Sequence, residues 1–478
     1  MTGFDLIVLG GGTGNVVASA AADEGADVAL VERGRLGGTC LNRGCNPSKK
    51  LLHRANVVET VRNADRFGVE ASVESVAYDA IVDEVTETVR AEAEAKAERA
   101  RERDRISLYR GEGRFVDERT VAVDRGDETE ELTAGRIVLA GGSRPAIPDA
   151  IEGLDEVEFL TSADALELRE RPDRLVVVGG GYVAVELAHF FGAMGTDVAV
   201  VGRNDVLAGR EDRDVAERLT AAYAEKHEVH TGYEVTHLSE VDDGRTAIRA
   251  ESEDGDDLEL RGDEVLLAVG REPAADSWDA DAAGIDTDER GSVETDEYLE
   301  TSVDGVWAIG DVAAPSAGGD RTPPGDSAAD YMFKHSGDRE AEYAVRNAVR
   351  GERAPVEYPG MAHAIFGSPE VGSLGATEGD LDREDYAVGT FEYADTALGS
   401  ALDPDVGFAK AIAASDGGVL GFHVVGPHAS MLVHEVSTAV AAGADADRIA
   451  ETIHVHPALS EVVQGAFLDC CGAAPSGI

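Results

Sequence analysis

Short apolar runs that end in glycine set the pattern of this chain. Phe4-Asp5-Leu6-Ile7-Val8-Leu9 becomes continuously apolar after Asp5 and predicts a strand that starts almost at the first residue. It runs into Gly10-Gly11-Gly12-Thr13-Gly14-Asn15, and then into the small-residue segment Val16 to Ala22, which predicts a helix. Gly25-Ala26-Asp27-Val28-Ala29-Leu30-Val31-Glu32 predicts a second strand closed by an acid, 22 residues after Gly10. A near copy follows. Leu175-Val176-Val177-Val178 leads to Gly179-Gly180-Gly181-Tyr182-Val183-Ala184-Val185-Glu186, and then to Gly195-Thr196-Asp197-Val198-Ala199-Val200-Val201-Gly202-Arg203. Strand, glycine turn, helix and strand form a dinucleotide-binding unit. The glycines let the backbone approach a pyrophosphate, the helix N-terminus attracts its charge, and the terminal acid accepts from a ribose. Two such units predict an α/β chain with two Rossmann-like domains. Asn15 stands where the third glycine is expected, a place where asparagine also tolerates tight backbone geometry. Between the units, Ala80 to Arg105 alternates Ala, Glu and Arg and predicts a long, solvated helix.

Composition changes this picture in one respect. Of 478 residues, 94 are Asp or Glu and 42 are Lys or Arg, a formal net charge of -52. Only six of those bases are lysine. The acids are spread over the chain, as in Glu251-Ser252-Glu253-Asp254-Gly255-Asp256-Asp257, whereas a single acidic binding face would leave the remainder balanced. Such a surface repels itself unless salt screens it, so a halophilic protein is expected. Nucleic acid is excluded as a partner, because binding it needs basic stripes. No basic leader precedes the first strand and no apolar run approaches the ~20 residues of a membrane span, so a cytoplasmic protein without membrane association is expected.

The candidate chemistry lies in Gly37-Gly38-Thr39-Cys40-Leu41-Asn42-Arg43-Gly44-Cys45-Asn46-Pro47-Ser48-Lys49-Lys50. Four residues separate the sulfurs, few enough for a small disulfide ring, and following lysines would stabilise a thiolate. Half of a zinc site is the alternative. Zinc wants tighter spacing and a second matching pair, whereas the other cysteines are the adjacent Cys470 and Cys471. A catalytic disulfide is also the normal explanation in a reducing compartment. In the second glycine unit, Gly202 replaces the ribose acid, and Arg203 and Arg210 follow. Arginine in place of the acid suits a ribose 2′-phosphate and hence NADPH, although surface arginines would give the same pattern.

Two dinucleotide units with a cysteine pair just after the first ribose acid resemble the FAD-dependent pyridine nucleotide–disulfide oxidoreductases. Arg136 to Pro145 and Leu266 to Pro273 look like the family's hinges into and out of the nicotinamide domain. Val306-Trp307-Ala308-Ile309-Gly310-Asp311-Val312 looks like its second FAD motif. The resemblance implies an FAD domain over 1–150 and 273–354, a nicotinamide domain over 151–272, and a C-terminal α+β dimerisation domain over 355–478. It places FAD contacts at Gly10, Gly12, Gly14, Asn15, Glu32, Gly38, Thr39 and Gly44. Further contacts are implied at Lys49, Gly113, Ala140, Gly141, Gly310 and Asp311. NADPH contacts fall at Gly179, Gly181, Tyr182, Arg203, Arg210 and Gly270, and no metal is implied. Electrons would pass from NADPH through FAD to the Cys40–Cys45 disulfide. Cys45 would face the flavin as a thiolate, with Cys40 the exposed attacking thiol. Lys49 would pair with Glu186. His456, in His454-Val455-His456-Pro457, would act as acid and base, oriented by Glu461 and reaching the site of the other subunit of a homodimer. His454 is its rival.

Within the family, dihydrolipoamide dehydrogenases keep an acid at the position of Gly202 and use NAD. Mercuric reductases use NADPH and end in a cysteine pair, as at Cys470-Cys471. Tyr331-Met332-Phe333-Lys334-His335 and Gly12-Thr13-Gly14-Asn15 look more like mycothione reductase. Joined to the acidic composition, these features imply reduction of a small thiol's disulfide, with bis-γ-glutamylcystine of extreme halophiles as the leading substrate. Arg43, inside the cysteine loop, is either a contact for its carboxylates or a surface residue. The Gly- and Pro-rich insertion from Ala313 to Asp330 is expected to be a loop.

Overall fold

A computed structural model describes residues 1–126, 128–242, 244–315, 332–381, 386–402 and 407–473. Most of the expected insertion, residues 316–330, and Tyr331 lie outside the described residues. The first layer is a parallel sheet in the order Val306–Ala308, Ile137–Leu139, Leu6–Leu9, Val28–Glu32, Ile106–Arg110. Its central strand is buried throughout, which is why Leu6 to Leu9 carries no polar residue. A second parallel sheet runs Glu228–Thr231, Asp197–Gly202, Arg174–Val178, Glu264–Leu267. The C-terminal part is a five-stranded antiparallel sheet carrying the helices Ala429–Ala441 and Glu461–Cys470. This is the expected α/β architecture with an α+β C-terminal domain.

The two Rossmann-like units repeat each other atom for atom at their turns. Gly10 N–H donates to Val31 O at 2.9 Å and Ala140 N–H to Leu9 O at 2.7 Å. In the second unit Gly179 N–H donates to Val201 O at 2.7 Å and Ala268 N–H to Val178 O at 2.8 Å. Gly10 has φ of 107° and Gly179 of 120°. A Cβ on Gly10 would fall 2.2 Å from Ala140 O, and one on Gly179 2.3 Å from Ala268 O. Both places therefore require glycine, for conformation and for space. Gly14 packs its helix on the sheet, since a Cβ there would meet Val8 and Ala140 within 3 Å. That contact sits one residue before the position where the third glycine was expected, so Asn15 is accommodated without strain.

The chain passes from the first unit into the second through Ser143–Pro145 and returns through Arg271–Pro273. These strands pair antiparallel, so both crossings share one ribbon. The nicotinamide-side unit is also tied to the C-terminal sheet. Lys410, 1% exposed, holds Asp212 at 2.9 Å, Asp214 at 2.7 Å and Glu378 at 2.7 Å. A buried ammonium is tolerable only with such partners.

The helix Tyr78–Arg101 departs from the expected solvated one. It buries Val82, Val85, Val89, Ala93, Ala97 and Ala100, a stripe at spacings of three and four. Alanine is small enough to pack closely, so the Ala-Glu-Arg alternation concealed an apolar face. No described helix is long and apolar enough to cross a membrane.

Replacing Gly10 with Ala tests the turn geometry. Adding a Cβ at this φ costs roughly 1–2 kcal/mol before any clash is counted, so thermal unfolding in molar KCl should show a Tm several degrees lower and a protein that retains less FAD. An unchanged Tm and flavin content would refute the account of this turn.

Candidate active site

Parallel α/β sheets bind ligands beyond the carboxyl ends of their strands. Here that edge opens into a cleft of about 540 Å³, within the usual range for cofactor sites. Gly10, Gly12 and Glu32 line one end, and Gly38, Thr39, Cys40, Gly44, Cys45 and Lys49 line the middle. Gly113, Ala140, Gly141, Gly310 and Asp311 form further wall, while Tyr182 and Glu186 enter from the second unit. Gly14 and Asn15 stand behind this lining. The fit to a flavin dinucleotide rests on bare backbone at the turn. A Cβ on Gly38 would lie 2.8 Å from Gly12 Cα, so the two glycines bring the cysteine loop against the turn. Glu32 closes the end, accepting from Gly11 N–H at 2.8 Å and Gly34 N–H at 2.7 Å. Asp311 accepts from Ser143 Oγ at 2.5 Å, and Arg271 Nε donates to the same hydroxyl at 2.8 Å. Gly310 N–H donates to the buried carboxylate of Glu340, whose pKa burial pushes up to about 7.

Two helices present the sulfurs. Cys40 lies within Gly38–Arg43, and Cys45 begins Cys45–Arg62. Gly44 lets the chain reverse between them, since a Cβ there would stand 3.0 Å from Thr39 O and 3.3 Å from Cys40 Cα. Both cysteines are free thiols. Their protons are unequally held. The Cys40 hydrogen bond and the Lys49 charge bring Cys45 down to about 6 against the opposing effect of burial. Its place at a helix N-terminus acts in the same direction. Cys40 is pushed up by its hydrogen bond with Cys45 and by burial. Of the two sulfurs, Cys45 is the more readily deprotonated. Exposure runs opposite to the expectation, with Cys45 open on the cleft and Cys40 half-buried beside Asn46. Cys45 faces the cleft because it starts its helix there, whereas Cys40 is inside its own.

Lys49, one turn on from Cys45, places Nζ 2.7 Å from both oxygens of Glu186. Glu186 is 4% exposed and also accepts Phe366 N–H at 3.1 Å. The lysine lies over the Phe366 ring, 4.7 Å from its centre. Two cations, Lys49 beside Cys45 and Lys334 beside Cys40, act on the sulfur pair, a setting that favours thiolates over a metal cation.

His456 and Glu461 lie outside the cleft lining of their own chain. They pair with each other, Nδ1 to Oε1 at 2.8 Å, and the imidazole is 59% exposed. Burial opposes the Glu461 carboxylate, but the Ala458 N–H and His456 hold its pKa below the usual range. His454 is taken up by Glu435 at 2.5 Å, with a side chain almost without exposure. Of the expected nicotinamide contacts, Tyr182 lines the cleft, while Gly179, Gly181, Arg203, Arg210 and Gly270 are not part of its lining. Gly202 occupies the place that Glu32 holds in the first unit. A Cβ there would meet Gly180 at an ordinary 3.5 Å, and Arg203 is exposed with no ion pair among the described residues.

Comparison with known proteins agrees with this geometry. The pyridine nucleotide-disulphide oxidoreductase family matches residues 4–340, and its dimerisation domain matches residues 361–467. The chain belongs to this family. A dihydrolipoyl dehydrogenase of Haloferax volcanii is 36% identical, covering 99% of this chain and 97% of the relative. Mycothione reductase of Mycobacterium tuberculosis is 33% identical over 98% of this chain and 99% of its own. The fold is shared with the HOCl-induced flavoprotein disulfide reductase RclA of Escherichia coli in its Cu(II) complex, with a TM-score of 0.83 and 24% identity over 98% of this chain and 99% of that one. As a member of the pyridine nucleotide-disulphide oxidoreductases, the protein is a flavoprotein oxidoreductase whose cofactors are FAD and NAD(P)H. Its relatives include enzymes of halophiles and it carries a dimerisation domain.

Several groups at the site escaped the sequence reading. Arg271 and Ser143 sit within the hinge motifs, but only pairing of the hinges brings them to Asp311. Glu340 and Tyr358, bonded at 2.8 Å, lie far from Gly310 in sequence and carry no motif. Cys470 is a core residue, 8% exposed, directing its thiol to Ala387 O at 3.4 Å. Burial pushes its pKa up, and burial together with Asp447 pushes Cys471 up to about 12. Neither is poised as a thiolate.

Titration of Cys45 should show its setting. Iodoacetamide should label Cys45 of the reduced protein with a midpoint near pH 6, followed by peptide mass spectrometry. Cys40→Ala removes the donor that favours the thiolate, so the midpoint should move upward. A wild-type midpoint at the ordinary value of about 8.5 would refute the asymmetry between the sulfurs.

Proposed function

We propose that this protein is an NADPH-dependent flavoprotein disulfide reductase for a low-molecular-weight thiol, with bis-γ-glutamylcystine as its leading substrate. The observation that carries the reading is the unequal pair, Cys45 held as a thiolate above the Lys49–Glu186 ion pair and Cys40 beside it. Residues 1–150 and 273–354 serve FAD, 151–272 the nicotinamide nucleotide and 355–478 the dimer. The turn glycines, Glu32 and Asp311 of the cleft would hold FAD, which would supply a two-electron relay between NADPH and the Cys40–Cys45 disulfide. The reduced dithiol then acts by exchange. Cys40, having given up its proton, attacks one sulfur of the substrate, and the first thiol leaves with a proton from His456 of the partner subunit. Cys45 attacks the Cys40 sulfur of the mixed disulfide, the second thiol departs, and the Cys40–Cys45 bond re-forms. The sum is one NADPH and one proton consumed, and two thiols made from one disulfide. Glu461 orients His456 through the 2.8 Å bond. The exposed imidazole stands beside Ile453 and Val455, 96% and 74% exposed, on a surface suited to a second copy. Removal of His456 should cost roughly 10²–10⁴ in rate.

NADPH is supported by the contrast between the two turns, with Glu32 in one and Gly202 next to Arg203 in the other. A dihydrolipoyl dehydrogenase activity is favoured by the Haloferax volcanii relative but would ordinarily use NAD. A mercuric reductase reading relies on Cys470 and Cys471, and the burial of Cys470 counts against it. The acidic composition supports a cytoplasm rich in salt.

With the FAD-loaded protein in molar KCl, NADPH oxidation should proceed with bis-γ-glutamylcystine and stop in Cys40→Ser, while flavin reduction by NADPH persists. Turnover with Hg²⁺ alone, or with lipoamide alone, would overturn the substrate assignment. Gly202→Glu should shift the ratio of kcat/KM from NADPH toward NADH by about tenfold, roughly 1.4 kcal/mol. A ratio unchanged by that substitution would refute the role assigned to this turn.

A further inference from the structure

Lysine is the rarest cation here, and its distribution is uneven. Lys49 and Lys50 follow Cys45, while Lys334 and Arg43 line the cleft together with Cys40. Lys96 projects from Tyr78–Arg101, the helix packed against both cysteine helices and joined to the second by Lys50–Glu92 at 3.4 Å. Lys96 lies within electrostatic reach of Lys334 and of Cys40. The other lysines each hold a carboxylate. Lys96 is half-buried and makes no hydrogen bond or ion pair among the described residues, and exposed Arg43 makes none either. Lys334 has Asp338 one turn away. With 94 acids in the chain, cations left without a carboxylate beside a reactive sulfur are an unexpected arrangement. Burial, Lys334 and Arg99 together disfavour the charge on Lys96 more than Asp338 and Cys40 favour it, an imbalance that an arriving anion would relieve.

We propose that Lys96, Lys334 and Arg43 form a cationic rim beside Cys40 that binds the carboxylates of an anionic disulfide substrate. This rests on the disulfide-reductase reading and adds the means of recognition. The rest of the surface repels such a substrate, so attraction must be local. In ~1 M salt the screening length is about 3 Å, and a rim therefore acts by contact with the bound substrate, with little steering from a distance. The expected signature is a change in KM confined to charged disulfides.

The test compares the FAD-loaded wild type with Lys96→Gln in molar KCl. The probes are bis-γ-glutamylcystine, which carries carboxylates, and 2-hydroxyethyl disulfide, which carries no charge. Loss of charge-assisted contacts should raise KM for the anionic probe roughly tenfold to a hundredfold. Its kcat and the kcat/KM of the uncharged probe should stay near wild type, and Lys96→Arg should retain the preference. Equal losses on both probes would make Lys96 merely structural and overturn the rim. So would an unchanged KM, or a wild type with no preference for the anionic probe, while reductase activity itself stood. Turnover that survives in Cys40→Ser would sink the reductase reading instead. Should Lys96→Gln lose FAD, Lys96→Met reads the same preference.

Discussion

The ion pair between Lys49 and Glu186 is the constraint on which the site depends. Its carboxylate comes from the helix of the second glycine unit and its ammonium from the helix that Cys45 begins. Glu186 is 4% exposed, and leaving a buried charge without its partner costs ~3–5 kcal/mol. The pair thus fixes the two helices against each other. It also puts a positive charge one turn from Cys45, where it favours the thiolate. One contact therefore joins the units, shapes the cleft between them and helps decide which sulfur is charged. Phe366, from just after a strand of the C-terminal sheet, adds its N–H and ring, so that domain also registers on the same ion pair.

Around this contact the chain uses one backbone device twice. The turns at Gly10 and Gly179 have matching hydrogen bonds and nearly the same clearance to the opposing carbonyl. Such similarity means that the turn itself does not choose its ligand. Choice falls to the residue that ends the following strand. Glu32 is anchored by two amide donors and presents a carboxylate, whereas Gly202 presents no side chain and stands next to an exposed arginine. A single side chain at equivalent sites can thus separate two dinucleotides held by nearly identical backbones.

These local features were legible in the sequence because each depends on neighbours close along the chain. Glycine spacing, strand-ending acids and the cysteine loop all encode contacts made within one βαβ unit. Lys49–Glu186 was also legible, through resemblance. Exposure of the sulfurs was not, since it depends on where the two cysteine helices point once Gly12 meets Gly38. The Tyr78–Arg101 helix misled because alanine counts as neutral in a charged run yet packs as an apolar residue. Asp311, Ser143 and Arg271 converge only through hinge pairing, and Glu340 reaches Gly310 by tertiary packing. Long-range polar contacts of this kind leave no periodicity to read.

The rarity of lysine gives the charge pattern its meaning. An acidic surface in high salt gains little from isolated surface lysines, whose attraction is screened within a few ångströms. A lysine in such a chain needs a reason at contact range. Lys410 has one in the three carboxylates that lock two domains, and Lys49 has one in Glu186. Lys226 spans Glu59 and Ser368 between the cysteine helix and the C-terminal domain. By the same reasoning Lys96, half-buried and without such a partner among the described residues, points outside the chain for its counter-charge. In the proposed function the sulfur within its electrostatic reach, Cys40, is the one that meets substrate. On that reading, the setting that lowers the pKa of Cys45 and the charge pattern around Cys40 belong to two faces of one dithiol, the first serving the electron source and the second an anion.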